Sequence, residues 1–153
     1  MLTDKIKQVI RSAYKNIGEN LPLFNPRKQQ TYLIAEIAKT LAGDYDKARK
    51  IITIDAGTGT GKSLAYSLGS IPLALSRQKK VCISTATVAL QEQLVDKDLP
   101  FLKKHSGLDF QFSLVKGRQR YVCRQKLAQA ISTDESPQAG FTFAQKPDAE
   151  DIR

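Results

Sequence analysis

The sequence has few cysteines, no long apolar run and no signal-peptide pattern. Nothing in it suggests an exported, disulfide-bonded domain, so its two cysteines, Cys82 and Cys123, are predicted to be unpaired. Cys82 lies in the apolar run Val81–Ile83 and is predicted to be a small buried side chain. No apolar run approaches the roughly 20 residues of a membrane span, and the mixed charges at the N-terminus are untypical of a signal peptide. We therefore expect a cytoplasmic chain with no membrane partner.

Composition and charge are those of a soluble globular domain. Of the 153 residues, 41% are hydrophobic and 25% are charged, which is typical of one compact domain. The net charge is +9, but residues 134–153 carry five acidic and two basic side chains, so the first 133 residues carry +12. A basic body favours a polyanionic partner, because each neutralised phosphate releases a counterion. The alternative is a basic protein without such a partner, since many soluble proteins are basic.

Hydrophobic periodicity predicts helices that alternate with short strands. Helical spacing of apolar residues covers Leu2–Ile17, Gln30–Leu41, Lys62–Leu75, Val88–Asp96 and Tyr121–Ile131. Short apolar runs predict buried strands at Ile51–Ile54, Lys80–Thr85 and Phe110–Val115. Their order predicts an α/β fold, a doubly wound parallel sheet flanked by helices. We expect an N-terminal helix in residues 1–20, a main region in residues 21–127 and a poorly ordered tail in residues 128–153.

A glycine-rich stretch follows the first predicted strand and matches the P-loop pattern, with alanine at its first glycine position. Its residues are Ala56, Gly57, Thr58, Gly59, Thr60, Gly61, Lys62 and Ser63. The glycines permit tight turns that point backbone N–H groups at phosphate oxygens. The Lys62 ammonium is then placed to reach the β- and γ-phosphates, and the Ser63 hydroxyl to ligate Mg²⁺. The alternative, a glycine-rich loop without a ligand, is disfavoured by the predicted strand before it and helix after it.

Two polar segments on either side of this loop have a functional and a structural interpretation. The segment Arg27–Gln30 ends in an amide that offers a donor and an acceptor to the edge of adenine, or it is simply the polar start of a helix. The segment Ser84–Leu94 places hydroxyl groups between a predicted strand and a helix, where they suit a nucleic-acid phosphate. The structural alternative there is capping of the helix by Thr85 or Thr87.

A basic cluster, Lys116–Lys126, contains five basic side chains, one aromatic ring and no acidic residue. Arg118 and Arg120 lie beside Tyr121 within it. This composition suits a groove that follows a single nucleic-acid strand and stacks a base on the ring. The alternative is a basic surface that is merely solvated.

Together these segments resemble the iron–sulfur family of superfamily 2 DNA helicases, the DinG/XPD family, over about Leu21 to Leu127. The residues that carry the resemblance are Arg27–Gln30, Leu41–Gly43, Asp55–Ser63, Ser84–Leu94, Lys97–Pro100 and Gly117–Cys123, in the family's order and spacing. The resemblance implies a RecA-like P-loop motor domain that couples ATP hydrolysis to 5′→3′ unwinding of DNA.

The resemblance also implies roles for matching residues. Arg27 and Gln30 would contact the nucleotide, with Gln30 on adenine, and Ala56–Ser63 would hold ATP and Mg²⁺, with Lys62 and Ser63 catalytic. Single-stranded DNA would be contacted by Thr85, Thr87, Arg118 and Arg120. Cys123 would be the first of four cysteines that ligate a [4Fe–4S] cluster.

Three elements of that family are missing from this sequence. It has no Asp-Glu-x-His motif, no second motor domain to supply an arginine, and no further cysteines for a cluster, which one thiolate cannot hold. We therefore expect the opening portion of a motor, monomeric, that binds ATP weakly and hydrolyses little, because phosphoryl transfer needs charge positioned around the γ-phosphate. The alternatives are a stand-alone nucleotide-binding module, a single-strand DNA binder and a gene remnant.

Overall fold

A computed structural model describes residues 1–21, 24–117 and 120–132, with side chains up to residue 129. The chain divides into two compact units, Met1–Ser113 and Leu114–Arg153. In the first unit the helices are α1 (Asp4–Asn20), α2 (Lys28–Ala42), α3 (Lys62–Ser76), α4 (Val88–Glu92), a π-helical segment (Gln93–Asp98) and α5 (Leu99–His105). The second unit contains α6 (Arg124–Ser132). No helix in the described part of the chain is long and apolar enough to cross a membrane.

The predicted α/β fold is wrong, because residues 1–21, 24–117 and 120–132 contain helices but no strand and no sheet. The three predicted strands, Ile51–Ile54, Lys80–Thr85 and Phe110–Val115, are chain without regular secondary structure. A β-branched run favours an extended backbone, but a strand forms only where a neighbouring backbone offers complementary N–H and C=O groups. The described residues supply no such neighbour, and with it the RecA-like sheet is also absent.

The three segments differ in how far their apolar side chains are buried. Ile51 is 82% exposed and Val81 is 39% exposed, so their apolar side chains remain outside the core. Phe110, by contrast, is 8% exposed and belongs to the main hydrophobic cluster, with its ring centroid 6.2 Å from that of Phe112. Apolar character therefore predicted burial correctly only at the start of the third segment, since Val115 at its end is 78% exposed.

Helix α1 begins where its sequence supplies a cap. The Thr3 side chain accepts a hydrogen bond from the Ile6 amide, and Asp4 lies in the first turn, where a negative charge interacts favourably with the helix dipole. The apolar face buries Ile10, Ala13 and Ile17. The predicted helix at Leu2–Ile17 is confirmed, with its bounds shifted towards the C-terminus.

Helix α2 ends at the predicted glycine. Gly43 has φ 84°, a left-handed conformation that glycine adopts without steric cost, and its amide donates to the Lys39 and Thr40 carbonyls. The turn that follows is held to the helix, because the Tyr45 hydroxyl donates to Glu36 Oε2 at 2.7 Å and Lys39 Nζ donates to Oε1 at 3.0 Å. The hydrogen bond from Tyr45, followed by that from Lys39, lowers the pKa of the Glu36 carboxyl group.

Helices α2 and α3 approach closely at a glycine. A Cβ atom added at Gly69 would lie 2.7 Å from Ile37 Cγ2 and 3.1 Å from the Ile34 carbonyl oxygen. Around this contact the core collects Ile34, Ala38, Ala65, Leu68 and Ile71. The absence of a side chain at Gly69 therefore sets the distance between the helix that carries Gln30 and the helix that begins at Lys62.

We expect Gly69→Ala to destabilise the first unit. Overpacking costs about 1–3 kcal/mol, against a gain of about 0.5–1 kcal/mol from the better helix propensity of alanine, so the net effect is a loss. Urea denaturation followed by circular dichroism measures it. Ser70→Ala, at the neighbouring position of α3, is the control. It removes a hydrogen bond from the Ser70 hydroxyl to the Tyr66 carbonyl within the same helix, and the better helix propensity of alanine offsets much of that loss, so it should destabilise the unit less than Gly69→Ala. A Gly69→Ala variant as stable as the parent would contradict the close helix contact.

The second half of the first unit contains one continuous helical run whose hydrogen-bond pattern changes midway. Helix α4 passes into the π-helical segment and then into α5, with Pro100 at the start of α5. A proline has no N–H to donate to the preceding turn, and π-helical turns accommodate such local mismatches. The run is anchored to the core by Leu94, Leu99 and Leu102. The predicted helix at Val88–Asp96 is thus confirmed and extended to His105.

Candidate functional site

The loop before α3 has the backbone geometry that its glycines predict at two of three positions. Gly59 and Gly61 have φ 78° and 76°, in the left-handed region, whereas Gly57 has no positive φ and an added Cβ atom there would meet nothing within 4 Å. Gly61 is the N-terminal cap of α3 and offers no side chain to its first turn. The first amides of α3 are therefore open to an external anion, which the helix dipole also favours.

Lys62 reaches back across this loop. Its Nζ atom donates to the Ala56 carbonyl at 2.8 Å and to the Gly57 carbonyl at 3.0 Å, and the side chain is exposed. The Thr60 hydroxyl closes the same turn by donating to the Gly57 carbonyl at 2.6 Å. Thr58 is exposed at the tip of the loop, and Ser63 is half-buried on the first turn of α3. A cation, open amides and a hydroxyl are thus collected at one helix terminus.

Arg27 and Gln30 both contact the loop itself. Arg27 donates from its guanidinium to the Gly59 carbonyl. Gln30 is 6% exposed, and its Nε2 atom donates to the Thr60 carbonyl at 3.3 Å and the Gly61 carbonyl at 3.2 Å. The structure therefore brings these two residues to the loop Ala56–Ser63. Whether Gln30 reads adenine stays a prediction.

The amide of Gln30 has a third partner that the sequence pattern did not indicate. The Tyr14 hydroxyl on α1 donates to Gln30 Oε1 at 2.9 Å. The only sequence signal for Tyr14 is a tyrosine placed next to the apolar face formed by Ile10, Ala13 and Ile17, where such rings usually pack without a functional role. Sequence reasoning missed this residue because its partner lies on another helix.

Thr85 and Thr87 make short-range hydrogen bonds before α4. Thr87 caps the helix, since its side chain accepts from the Leu90 amide at 3.3 Å, and the Thr85 hydroxyl donates to the Thr87 carbonyl at 3.2 Å. The capping alternative from the sequence is therefore confirmed for Thr87. A contact of either residue with DNA stays a prediction.

The second unit presents a basic surface with an exposed aromatic ring. Arg120, Arg124 and Lys126 are exposed, whereas Arg118 lies outside the described residues. The Tyr121 side chain is 58% exposed, and its hydroxyl accepts a hydrogen bond from the Lys116 amide at 3.1 Å. This contact closes a short loop that holds the ring at the surface.

Neither cysteine lies in a metal-binding group. Cys123 and Cys82 are both free and exposed, so the expected burial of Cys82 is wrong, because the unpaired segment around it stays outside the core. Within the described ranges no three His, Cys, Asp or Glu side chains come together as metal ligands. A [4Fe–4S] cluster requires four thiolates, and the sequence has two. The residues present do not fit such a cluster.

Several known proteins that are similar to this chain share one name. The chain is 50% identical over 152 residues to ATP-dependent DNA helicase DinG of Photobacterium profundum, which covers 99% of this chain and 22% of that protein. It is 43% identical over 142 residues to the protein of the same name in Escherichia coli K12, and 41% identical to that of Salmonella typhimurium, each covering 93% of this chain and 19% of the relative. The chain thus spans about a fifth of these relatives' length. No protein-family model matches it.

Proposed function

Since this chain is homologous over nearly its whole length to a portion of the proteins named ATP-dependent DNA helicase DinG, we propose that it is a nucleotide-binding and DNA-binding portion of such a helicase. The observation that carries the proposal is the loop Ala56–Ser63, whose geometry at the start of α3 suits a phosphate group. In this proposal the complete protein unwinds DNA 5′→3′ in the cytoplasm. The activity then depends on a second motor domain outside this chain.

The nucleotide site is proposed from four kinds of group. The first-turn amides of α3 bind the phosphates, and Lys62 exchanges its hydrogen bonds to the Ala56 and Gly57 carbonyls for stronger, charge-assisted bonds to phosphate oxygens. The Ser63 hydroxyl holds Mg²⁺, which neutralises charge on the β- and γ-phosphates. Arg27 and Gln30 keep the loop in place from α2. Calorimetric titration with ATP and Mg²⁺ tests the site, and no binding at millimolar ATP would contradict it.

We propose that the chain by itself binds ATP weakly and hydrolyses it slowly. These 153 residues contain no Asp-Glu-x-His motif to hold Mg²⁺ and the attacking water. Catalysis of phosphoryl transfer is largely positioning and electrostatic stabilisation, so a site with half of these groups binds better than it turns over. Steady turnover that disappears in Lys62→Ala would contradict this view.

A second proposed activity is binding of single-stranded DNA by the basic cluster. The ring of Tyr121 is exposed, and so are Arg120, Arg124 and Lys126, which are close to it in sequence. Aromatic rings stack on any base, and neighbouring cations bind the phosphates. Thr85, Thr87 and Arg118 are proposed as further contacts from the resemblance alone. This proposal is independent of nucleotide and has its own test.

We expect Tyr121→Leu to lower the affinity for an oligothymidylate by about tenfold, because stacking on one base contributes about 1–3 kcal/mol. Fluorescence anisotropy with a labelled oligonucleotide measures it. Affinity should also fall steeply as salt rises, since phosphate binding releases counterions. The control is Tyr32→Leu, which removes a ring that is 68% exposed on α2. Equal losses for both variants would contradict a specific stacking role for Tyr121.

A further inference from the structure

The hydrogen bonds of Gln30 connect helix α1 to the loop Ala56–Ser63. On one side, the Tyr14 hydroxyl donates to Oε1 at 2.9 Å. On the other, Nε2 donates to the carbonyls of Thr60 and Gly61 at 3.3 Å and 3.2 Å. Gln30 itself is 6% exposed. One buried amide therefore joins three separate parts of the first unit.

The chemistry of these four groups is mutually consistent. Carbonyl oxygens only accept hydrogen bonds, so the two loop carbonyls require the NH₂ end of the Gln30 amide. The amide oxygen then faces α1, where the Tyr14 hydroxyl is a suitable donor. The Tyr14 ring is itself held by an edge-to-face contact with Phe24, with centroids 5.4 Å apart. A fixed tyrosine therefore holds the amide in the orientation that suits the loop.

The Gln30 amide contacts the loop at Gly61, the residue whose left-handed conformation precedes α3. The Gly61 carbonyl accepts from both Gln30 Nε2 and the Ala65 amide, which is the first hydrogen bond of α3. A Cβ atom at Gly61 would lie only 2.0 Å from Nε2. The amide thus packs directly against the residue that sets the left-handed turn and the start of the phosphate-facing helix.

We propose that Tyr14 is a positioning residue for the phosphate-binding loop, acting through Gln30. The inference rests on the proposed nucleotide site. Tyr14 contacts no nucleotide in this account, and its hydroxyl holds the Gln30 amide on the Thr60 and Gly61 carbonyls. Without it, the amide loses its fixed orientation and the loop samples conformations that do not bind phosphate.

The test is Tyr14→Phe in the 153-residue chain, which keeps the ring and its contact with Phe24 and removes only the hydroxyl. We expect affinity for ATP with Mg²⁺ to fall about three- to tenfold, the usual effect of one lost hydrogen bond. Tyr45→Phe is the matched control, since it removes a tyrosine hydroxyl bound to Glu36 and leaves the loop contacts intact. It should bind ATP like the parent. Equal affinity of Tyr14→Phe and the parent would overturn the proposal.

A double-mutant cycle separates this role from a purely structural one. If Tyr14 acts through Gln30, Tyr14→Phe has no further effect on ATP affinity in a Gln30→Ala background. If Tyr14→Phe lowered ATP affinity as much in that background as in the parent, an action of Tyr14 through Gln30 would be overturned. A drop in melting temperature with unchanged affinity would also overturn it.

Hydrogen exchange of the loop amides tests the inference without nucleotide. Peptides that cover residues 56–63 should exchange faster in Tyr14→Phe than in the parent and in Tyr45→Phe. If the parent chain bound no ATP, the proposed function would fail, and exchange in this loop would still decide whether Tyr14 positions it. Unchanged exchange there would overturn the inference by itself.

Discussion

Replacing Lys62 with alanine should weaken the binding of ATP with Mg²⁺ by about ten- to a hundredfold, because hydrogen bonds to charged groups contribute about 1.5–3 kcal/mol. The side chain is exposed, and within the described part of the chain Lys62 Nζ donates hydrogen bonds to the Ala56 and Gly57 carbonyls. Its loss should therefore leave the melting temperature nearly unchanged. Calorimetric titration measures the affinity, and differential scanning calorimetry measures the stability.

The matched control for this variant is Lys15→Ala. Lys15 is 77% exposed on α1 and pairs with Glu19 at 3.6 Å, so its removal changes the net charge equally and leaves the loop intact. An exposed ion pair of this kind contributes little to stability. ATP affinity that fell equally in both variants would indicate a general charge effect and would contradict a specific phosphate contact by Lys62.

The second large effect is expected from Gly61→Ala, for which Gly57→Ala in the same loop is the matched control. Gly61→Ala forces a left-handed conformation on alanine, which costs about 1–2 kcal/mol. The new Cβ atom would lie 2.0 Å from Gln30 Nε2, so the Gln30 amide must move away. We expect the unfolding free energy to fall by about 2 kcal/mol or more and ATP binding to be lost. Gly57→Ala adds the same methyl group to open space and should change the unfolding free energy by less than about 0.5 kcal/mol.

Urea denaturation compares the two variants directly. Their ranking is the informative result, since both add one methyl group to a glycine of the same loop. Equal destabilisation by the two substitutions would contradict the distinct backbone conformations of Gly57 and Gly61. A stable Gly61→Ala variant would contradict the close packing of the Gln30 amide on this residue.

Much of the helical structure was predictable from local signals. The cap at Thr3, the apolar spacing in α1 and the glycine after α2 all act within a few residues of the chain, so no tertiary information is needed to interpret them. The start of α3 at Lys62 follows from the same kind of signal, because Gly61 adopts the left-handed turn before it. Local signals therefore predicted the start of α3 and the left-handed turns at Gly59 and Gly61.

The strands were not predictable in the same way, because a strand depends on partners distant in sequence. Ile51 and Val81 are β-branched apolar residues of the kind found in buried strands, but they remain exposed in segments without regular secondary structure. Phe110 also starts an apolar run, and it is buried in the core cluster although its segment forms no β-sheet hydrogen bonds. Local propensity cannot distinguish these outcomes, since only the neighbouring elements decide whether an apolar run is covered.

The helices and the place of the glycine-rich loop Ala56–Ser63 along the chain could be predicted from the sequence, because they depend on residues that are adjacent along it. The contacts of the loop residues depend instead on how the helices pack. The tertiary structure placed Arg27 on the Gly59 carbonyl and the Gln30 amide on Thr60 and Gly61, and it brought Tyr14 from another helix to hold that amide. A hydrogen bond between distant residues depends on how helices pack, and packing is a property of the whole core.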